Sequence, residues 1–110
     1  MIRVVKNDGR ATMATTLAEL VKEKRADILA LAAKHGARNV RVFGSVARGD
    51  ADEQSDIDVL VQMEPGRSLL DLGGLQYDLE QLLGCRVDVV TEQGLKARLR
   101  EEILSEAVTL

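Results

Sequence analysis

The apolar residues of this chain change period several times, and that switching limits the fold more than any other feature. Stripes at helical spacing alternate with short β-branched runs. Leu17, Leu20, Val21, Ile28, Leu31 and Ala32 form one stripe, which predicts a helix from Leu17 to about His35. Thr16 and Glu19 make a capping box at its start, and Gly36 suits the left-handed stop after it. Asn39 to Phe43 alternates as a short strand, and Ser55 to Val61 reads as a second. After the Pro65-Gly66 turn signal, Ser68 opens a helix carrying Leu69, Leu72, Leu75, Leu79, Leu82 and Leu83, which Gly84 ends. Gly73 and Gly74 weaken that helix by about 1 kcal/mol each relative to Ala, so close packing against a neighbour is expected there. Arg86 to Val90 is a third strand, and Leu95, Leu99 and Ile103 stripe a final helix. Strands alternating with helices imply an α/β (α+β) sandwich with a sheet of three or more strands.

The 110 residues fit about one domain. Residues 1–15 are weakly patterned, with Met1 to Val5 either a short strand or loose and Met13 an alternative start; the domain is expected over residues 16–110. Charge balance narrows the partners. Eighteen acidic against 15 basic side chains give a net charge of -3, which argues against a broad phosphate-tracking nucleic-acid surface. Phe43 and Tyr77 are the only aromatics, too few for base stacking. Cys85 is the single cysteine, so no intramolecular disulfide can form. The chain has no apolar run of about 20 residues, and its first ten residues lack the apolar core of a signal peptide. A cytoplasmic location is the expectation.

The chemistry lies in FGSVARGDADEQSDIDVLV, residues 43–61. Alternate strand residues share a face, so Asp56, Asp58 and Leu60 point one way while Ile57, Val59 and Val61 point the other. Aspartates two apart in a strand have Cα atoms roughly 6.5 Å apart. Such a pair can bracket one or two hard cations, and unpaired it would raise its own pKa by repulsion. Alone, an Asp-x-Asp is equally an exposed sheet edge. Two features add to it. Gly44-Ser45 follows a strand directly, where glycine lets backbone approach a ligand and Ser45 can start a short helix through Arg48. The free N–H groups, the Ser45 hydroxyl and Arg48 suit phosphate, although a plain turn is the commoner fate of Gly-Ser. Asp88, alternating with Val87 and Val89, can face the same way as Asp56 and Asp58 from a nearby strand.

Gly44-Ser45, ten intervening residues and Asp56-Ile57-Asp58 resemble the Gly-Ser-x10-Asp-x-Asp signature of nucleotidyltransferases of the DNA polymerase β superfamily. The fuller stretch resembles the small stand-alone branch called minimal nucleotidyltransferase (MNT) domains, with RVDVVT supplying the third aspartate. The resemblance runs from about Leu17 to Leu110. It implies a small mixed β-sheet flanked by helices, with ATP as substrate and two Mg2+ ions. Gly44, Ser45 and Arg48 would hold the triphosphate. Asp56 and Asp58 would ligate both metals. Asp88 would ligate the catalytic metal and help deprotonate the acceptor hydroxyl. Many such domains are antitoxins paired with a HEPN-domain ribonuclease toxin, which known members silence by transferring AMP to a tyrosine.

Three functions follow as expectations: protein adenylylation, an antitoxin acting by contact alone, and AMP transfer to a small molecule. The short chain leaves little room for a small-molecule pocket, unless a homo-oligomer supplies one. Other residues carry plainer readings. His35 ends a helix, Cys85 is a small packed residue, and Tyr77 is either half-buried, the preferred reading, or part of a partner surface. Asp50, Asp52 and Glu53 form an acidic loop, read as a solvated turn in preference to one that approaches the metal site, and RLREE a solvated helix face.

Overall fold

The computed structural model describes residues 16–52 and 54–110. The expected strand or loose segment at Met1 to Val5, and the possible start at Met13, lie outside them. The elements run α1 (Leu17–Glu23), α2 (Arg25–Lys34), β1 (Ala37–Phe43), α3 (Ser45–Arg48), β2 (Ile57–Met63), α4 (Leu69–Leu83), β3 (Val87–Thr91), α5 (Ala97–Glu106) and β4 (Val108–Thr109). The sheet order is β3-β2-β1-β4. β2 and β3 are parallel, and β1 is antiparallel to both β2 and β4. The expected mixed α/β sheet is therefore present, with α4 as the crossover between its parallel pair.

One face of the sheet makes the core. Val40, Val42, Ile57, Val59, Val61, Val87 and Val89 are buried there with Ile28 and Ala32 of α2 and Leu75, Leu79 and Leu83 of α4. The other face carries Asp58 and the fully buried Leu60, whose registered neighbour Arg41 pairs with Glu92. Helix α5 is tied to this side: Arg100 Nη1 donates to the Glu92 carbonyl at 2.7 Å.

Several boundaries differ from the sequence reading. The single helix expected from Leu17 to His35 is two, interrupted at Lys24 (φ -97°, ψ 12°). The Thr16–Glu19 capping box is present. The stripe is empty between Val21 and Ile28, where charged residues and Ala26 stand, so nothing apolar anchors the chain through that turn. β2 starts at Ile57, not Ser55. Just before it, Asp52 Oδ1 accepts from the Gln54 N–H at 2.9 Å and the Ser55 hydroxyl donates back to Asp52 at 3.2 Å, holding a turn. Leu69, which opens the apolar stripe of α4, stands 84% exposed, because burial begins further along, at Leu75. Tyr77 is 62% exposed rather than half-buried, since it sits two residues from both Leu75 and Leu79 and so faces outward. Of the paired glycines only Gly74 is tightly packed: a Cβ there would stand 2.9 Å from His35 Cε1, whereas one on Gly73 meets open space. The two-residue β4 was not foreseen. No helix among the described residues is long and apolar enough to cross a membrane.

Candidate active site

The end of β1 delivers Phe43 beside Asp58 of β2, and Asp58 lies opposite Asp88 of β3. Three strands thus bring Gly44, Asp58 and Asp88 to one end of one sheet face. Gly44 turns the chain sharply out of β1 (φ 72°, ψ -148°), a conformation that is essentially glycine-only. A Cβ on Gly44 would collide with the Asp58 carboxylate, so the glycine allows the loop to lie directly against that acid. Ser45 to Arg48 then forms α3, closed by Gly49 in the left-handed region (φ 83°). Among the described residues, the Ser45 hydroxyl has no hydrogen-bond partner, and Arg48 pairs with Asp50 at 3.3 Å.

Asp58 is half-buried and its pKa is raised. Burial is the largest cause, followed by repulsion from Asp88, Asp56 and Glu106; Arg48 acts in the opposite direction. Negative charge is therefore in excess around Asp58. Asp88 is exposed on the edge strand β3. Asp56 precedes β2 rather than lying within it, and stands 3.6 Å from the exposed Arg86 guanidinium. Among the described residues, no three carboxylate, histidine or cysteine groups stand close enough together to hold an ion as they lie. The donor chemistry nevertheless suits a hard dication: carboxylate oxygens, with Asp58 left under a net penalty for its charge.

One residue here was absent from the sequence reading. Glu106, the last residue of α5, accepts the Gly44 N–H on Oε1 at 2.8 Å and faces Arg48 Nη1 through Oε2 at 3.5 Å. Its separation of 62 residues from Gly44, and its place between Ser105 and Ala107 at the end of a helix with no buried residue, leave no local signal.

His35 and Cys85 carry plain structural roles, and Asp50 reaches the candidate site only through Arg48. His35 Nε2 hydrogen-bonds Asp78 Oδ2 at 2.7 Å, joining α2 to α4. Cys85 is partly buried, and that burial pushes its thiol pKa up, away from thiolate character. Asp50 serves its salt bridge to Arg48 on the surface.

The comparisons agree with this architecture. The protein is similar to the protein adenylyltransferase MntA of Thermococcus cleftensis, 42% identical over 93 residues, which cover 84% of this chain and 94% of that one. A solved structure described as a "putative minimal nucleotidyltransferase" superposes with a TM-score of 0.80 at 52% identity, covering 91% of this chain and all of that one. A toxin-antitoxin complex solved with AMP-PNP shares the fold, at 21% identity and a TM-score of 0.67 over 76% of this chain and 69% of that one. The model of the nucleotidyltransferase domain matches residues 22–110. The chain therefore belongs to the nucleotidyltransferase domain family and is a minimal nucleotidyltransferase.

Proposed function

We propose that this enzyme transfers AMP from ATP to a hydroxyl of a partner protein, a tyrosine of a HEPN ribonuclease toxin, and so acts as an antitoxin. The observation that carries the reading is the meeting of the Gly44-Ser45 turn with Asp58 and Asp88 on one sheet face. The MntA relative is named a protein adenylyltransferase, which favours a protein acceptor over a small molecule.

In this mechanism Gly44, Ser45 and Arg48 grip the triphosphate through a backbone N–H, a hydroxyl and a guanidinium. Asp56, Asp58 and Asp88 would hold two Mg2+ ions, which supply charge neutralisation and activation of the attacking oxygen. The acceptor oxygen attacks the α-phosphorus in line, the bond from that phosphorus to the bridging oxygen breaks, and pyrophosphate leaves. Asp88 takes the hydroxyl proton. Its exposed place on the edge strand lets a bulky protein acceptor reach it. A phenol starts near pKa 10, so its proton must be drawn off as the new bond forms.

Co-expression with the protein encoded next to it, followed by intact mass measurement, tests the reading. The partner's mass should rise by AMP units with the wild type and not with Asp58→Asn. Equal neutralisation of toxicity by both, with no mass change, would instead establish an antitoxin that works by contact.

A further inference from the structure

We propose that Glu106 is a latch on the Gly44–Arg48 loop: in the nucleotide-free protein its carboxylate occupies the donors that an incoming polyphosphate must take. The inference rests on the nucleotidyl-transfer reading of that loop.

The geometry is that of a stand-in anion. A single carboxylate spans the loop, with one oxygen on the Gly44 N–H at 2.8 Å and the other 3.5 Å from the Arg48 guanidinium. These are a backbone donor and a cation, the pair of groups that binds phosphate elsewhere. Glu106 has a fixed origin. It ends α5, and two residues later β4 pairs with β1, Val108 opposite Val42 and Thr109 opposite Arg41. That pairing delivers the carboxylate to the loop that leaves the end of β1.

A phosphate and Glu106 cannot share these donors. The Gly44 N–H satisfies one acceptor well, and Arg48, already paired with Asp50 at 3.3 Å, would have to carry a third anion. The site already holds Asp56, Asp58 and Asp88, so a fourth acid stays only while the loop donors hold it. Release is cheap. The carboxylate can leave by rotating its own side chain, which is 25% exposed, and α5 contains no fully buried residue to resist adjustment. The latch thus keeps the loop satisfied when empty and sets a threshold that nucleotide must exceed.

Calorimetric titration of Mg-ATP into the wild type, Glu106→Ala, Glu106→Gln and the control Glu102→Ala tests this. Loss of one charge-assisted competitor predicts binding about tenfold tighter in Glu106→Ala. Glu106→Gln keeps an acceptor for Gly44 but loses the charge, so its gain is smaller. Glu102→Ala, on the exposed part of α5, removes the same charge from the chain without touching the loop and should match the wild type. Binding by Glu106→Ala alone, with none by the wild type, also supports the latch. If the wild type binds and Glu106→Ala binds equally or more weakly, Glu106 supports the loaded loop and the latch is overturned while the nucleotide reading stands. If neither binds Mg-ATP, both fall. A gain in Glu102→Ala equal to that in Glu106→Ala would reduce the effect to net charge and overturn the latch.

Discussion

Replacing Gly44 with alanine should damage the fold and the chemistry through one contact, and Gly49→Ala separates the two effects. Gly44 sits at φ 72°, ψ -148°, where a side chain costs about 1–3 kcal/mol in backbone strain. Its new Cβ would also occupy the place of the Asp58 carboxylate. Asp58 must then rotate away from the loop and from its registered neighbour Asp88. Gly49 sits at φ 83°, ψ 14°, a left-handed position that costs about 1–2 kcal/mol, and a Cβ there meets nothing within 4 Å. For a domain of this size each kcal/mol moves Tm by about 4–8 °C. Gly49→Ala should therefore melt about 4–16 °C lower and transfer AMP within a few-fold of the wild type. Gly44→Ala should melt at least as low and lose about 100-fold or more in transfer, the scale of a misplaced catalytic group. Paired thermal melts and single-turnover transfer assays on both variants measure this. Wild-type turnover by Gly44→Ala would refute the claim that the glycine exists to let the loop lie against Asp58.

The remaining predictions concern stability, pH and metal. Gly73→Ala should stabilise the protein by about 0.5–1 kcal/mol in urea melts, through helix propensity alone, because its Cβ meets open space. Gly74→Ala should lose that gain, since its Cβ forces the His35 ring to move and disturbs the 2.7 Å bond to Asp78. Hydrogen bonding from Arg41 is the largest cause holding the Glu92 carboxyl below its ordinary value of 4.5. Its contribution to stability is complete above that value and is lost as the pH falls through the lower value it has in the fold. Glu92→Gln should accordingly flatten the acid limb of the stability–pH curve, read by melts at a series of pH values. Chelating divalent cations should weaken ATP binding measured by calorimetry, because repelling carboxylates must be neutralised before a polyphosphate can enter.

Local signals made the geometry of the candidate site largely legible. The Gly44-Ser45 turn, the Asp56–Asp58 pair and Asp88 all announce themselves through short-range pattern, and the strand register then places Asp58 between Gly44 and Asp88. Thr16, Ser68 and Gly84 mark helix ends by chemistry that acts within four residues, and all three do so in the fold. Contacts between distant residues were not legible. Glu106 reads as one more charge on a solvated helix until β4 brings its backbone beside β1, and a two-residue strand has too little pattern to announce itself. The Arg41–Glu92 pair is hidden for the same reason, since nothing in either local segment names a partner on the other. Tyr77 differs again: a lone aromatic invites the half-buried reading, but its helical phase between Leu75 and Leu79 leaves only the exposed one.

The arrangement of the acids also bears on the acceptor. Exposure rises across the sheet, from half-buried Asp58 on an inner strand to exposed Asp88 on the edge. Gly44 and Arg48 flank Asp58 on the side toward β1, where Glu106 also reaches in. A triphosphate gripped by that loop would approach the acids from the β1 side, leaving the β3 side for the attacking hydroxyl. Among the described residues, no strand pairs beyond β3 in the sheet. A small acceptor would find few groups there to enclose and orient it. A protein acceptor brings its own rigid surface and needs only an open edge with a base on it. Asp88 is therefore the residue whose substitution should most sharply separate acceptor chemistry from nucleotide binding. Asp88→Asn should abolish AMP transfer while retaining more Mg-ATP affinity than Asp58→Asn, as parallel titration and mass measurements would read. Equal loss of affinity in the two variants would place Asp88 with the nucleotide rather than with the acceptor.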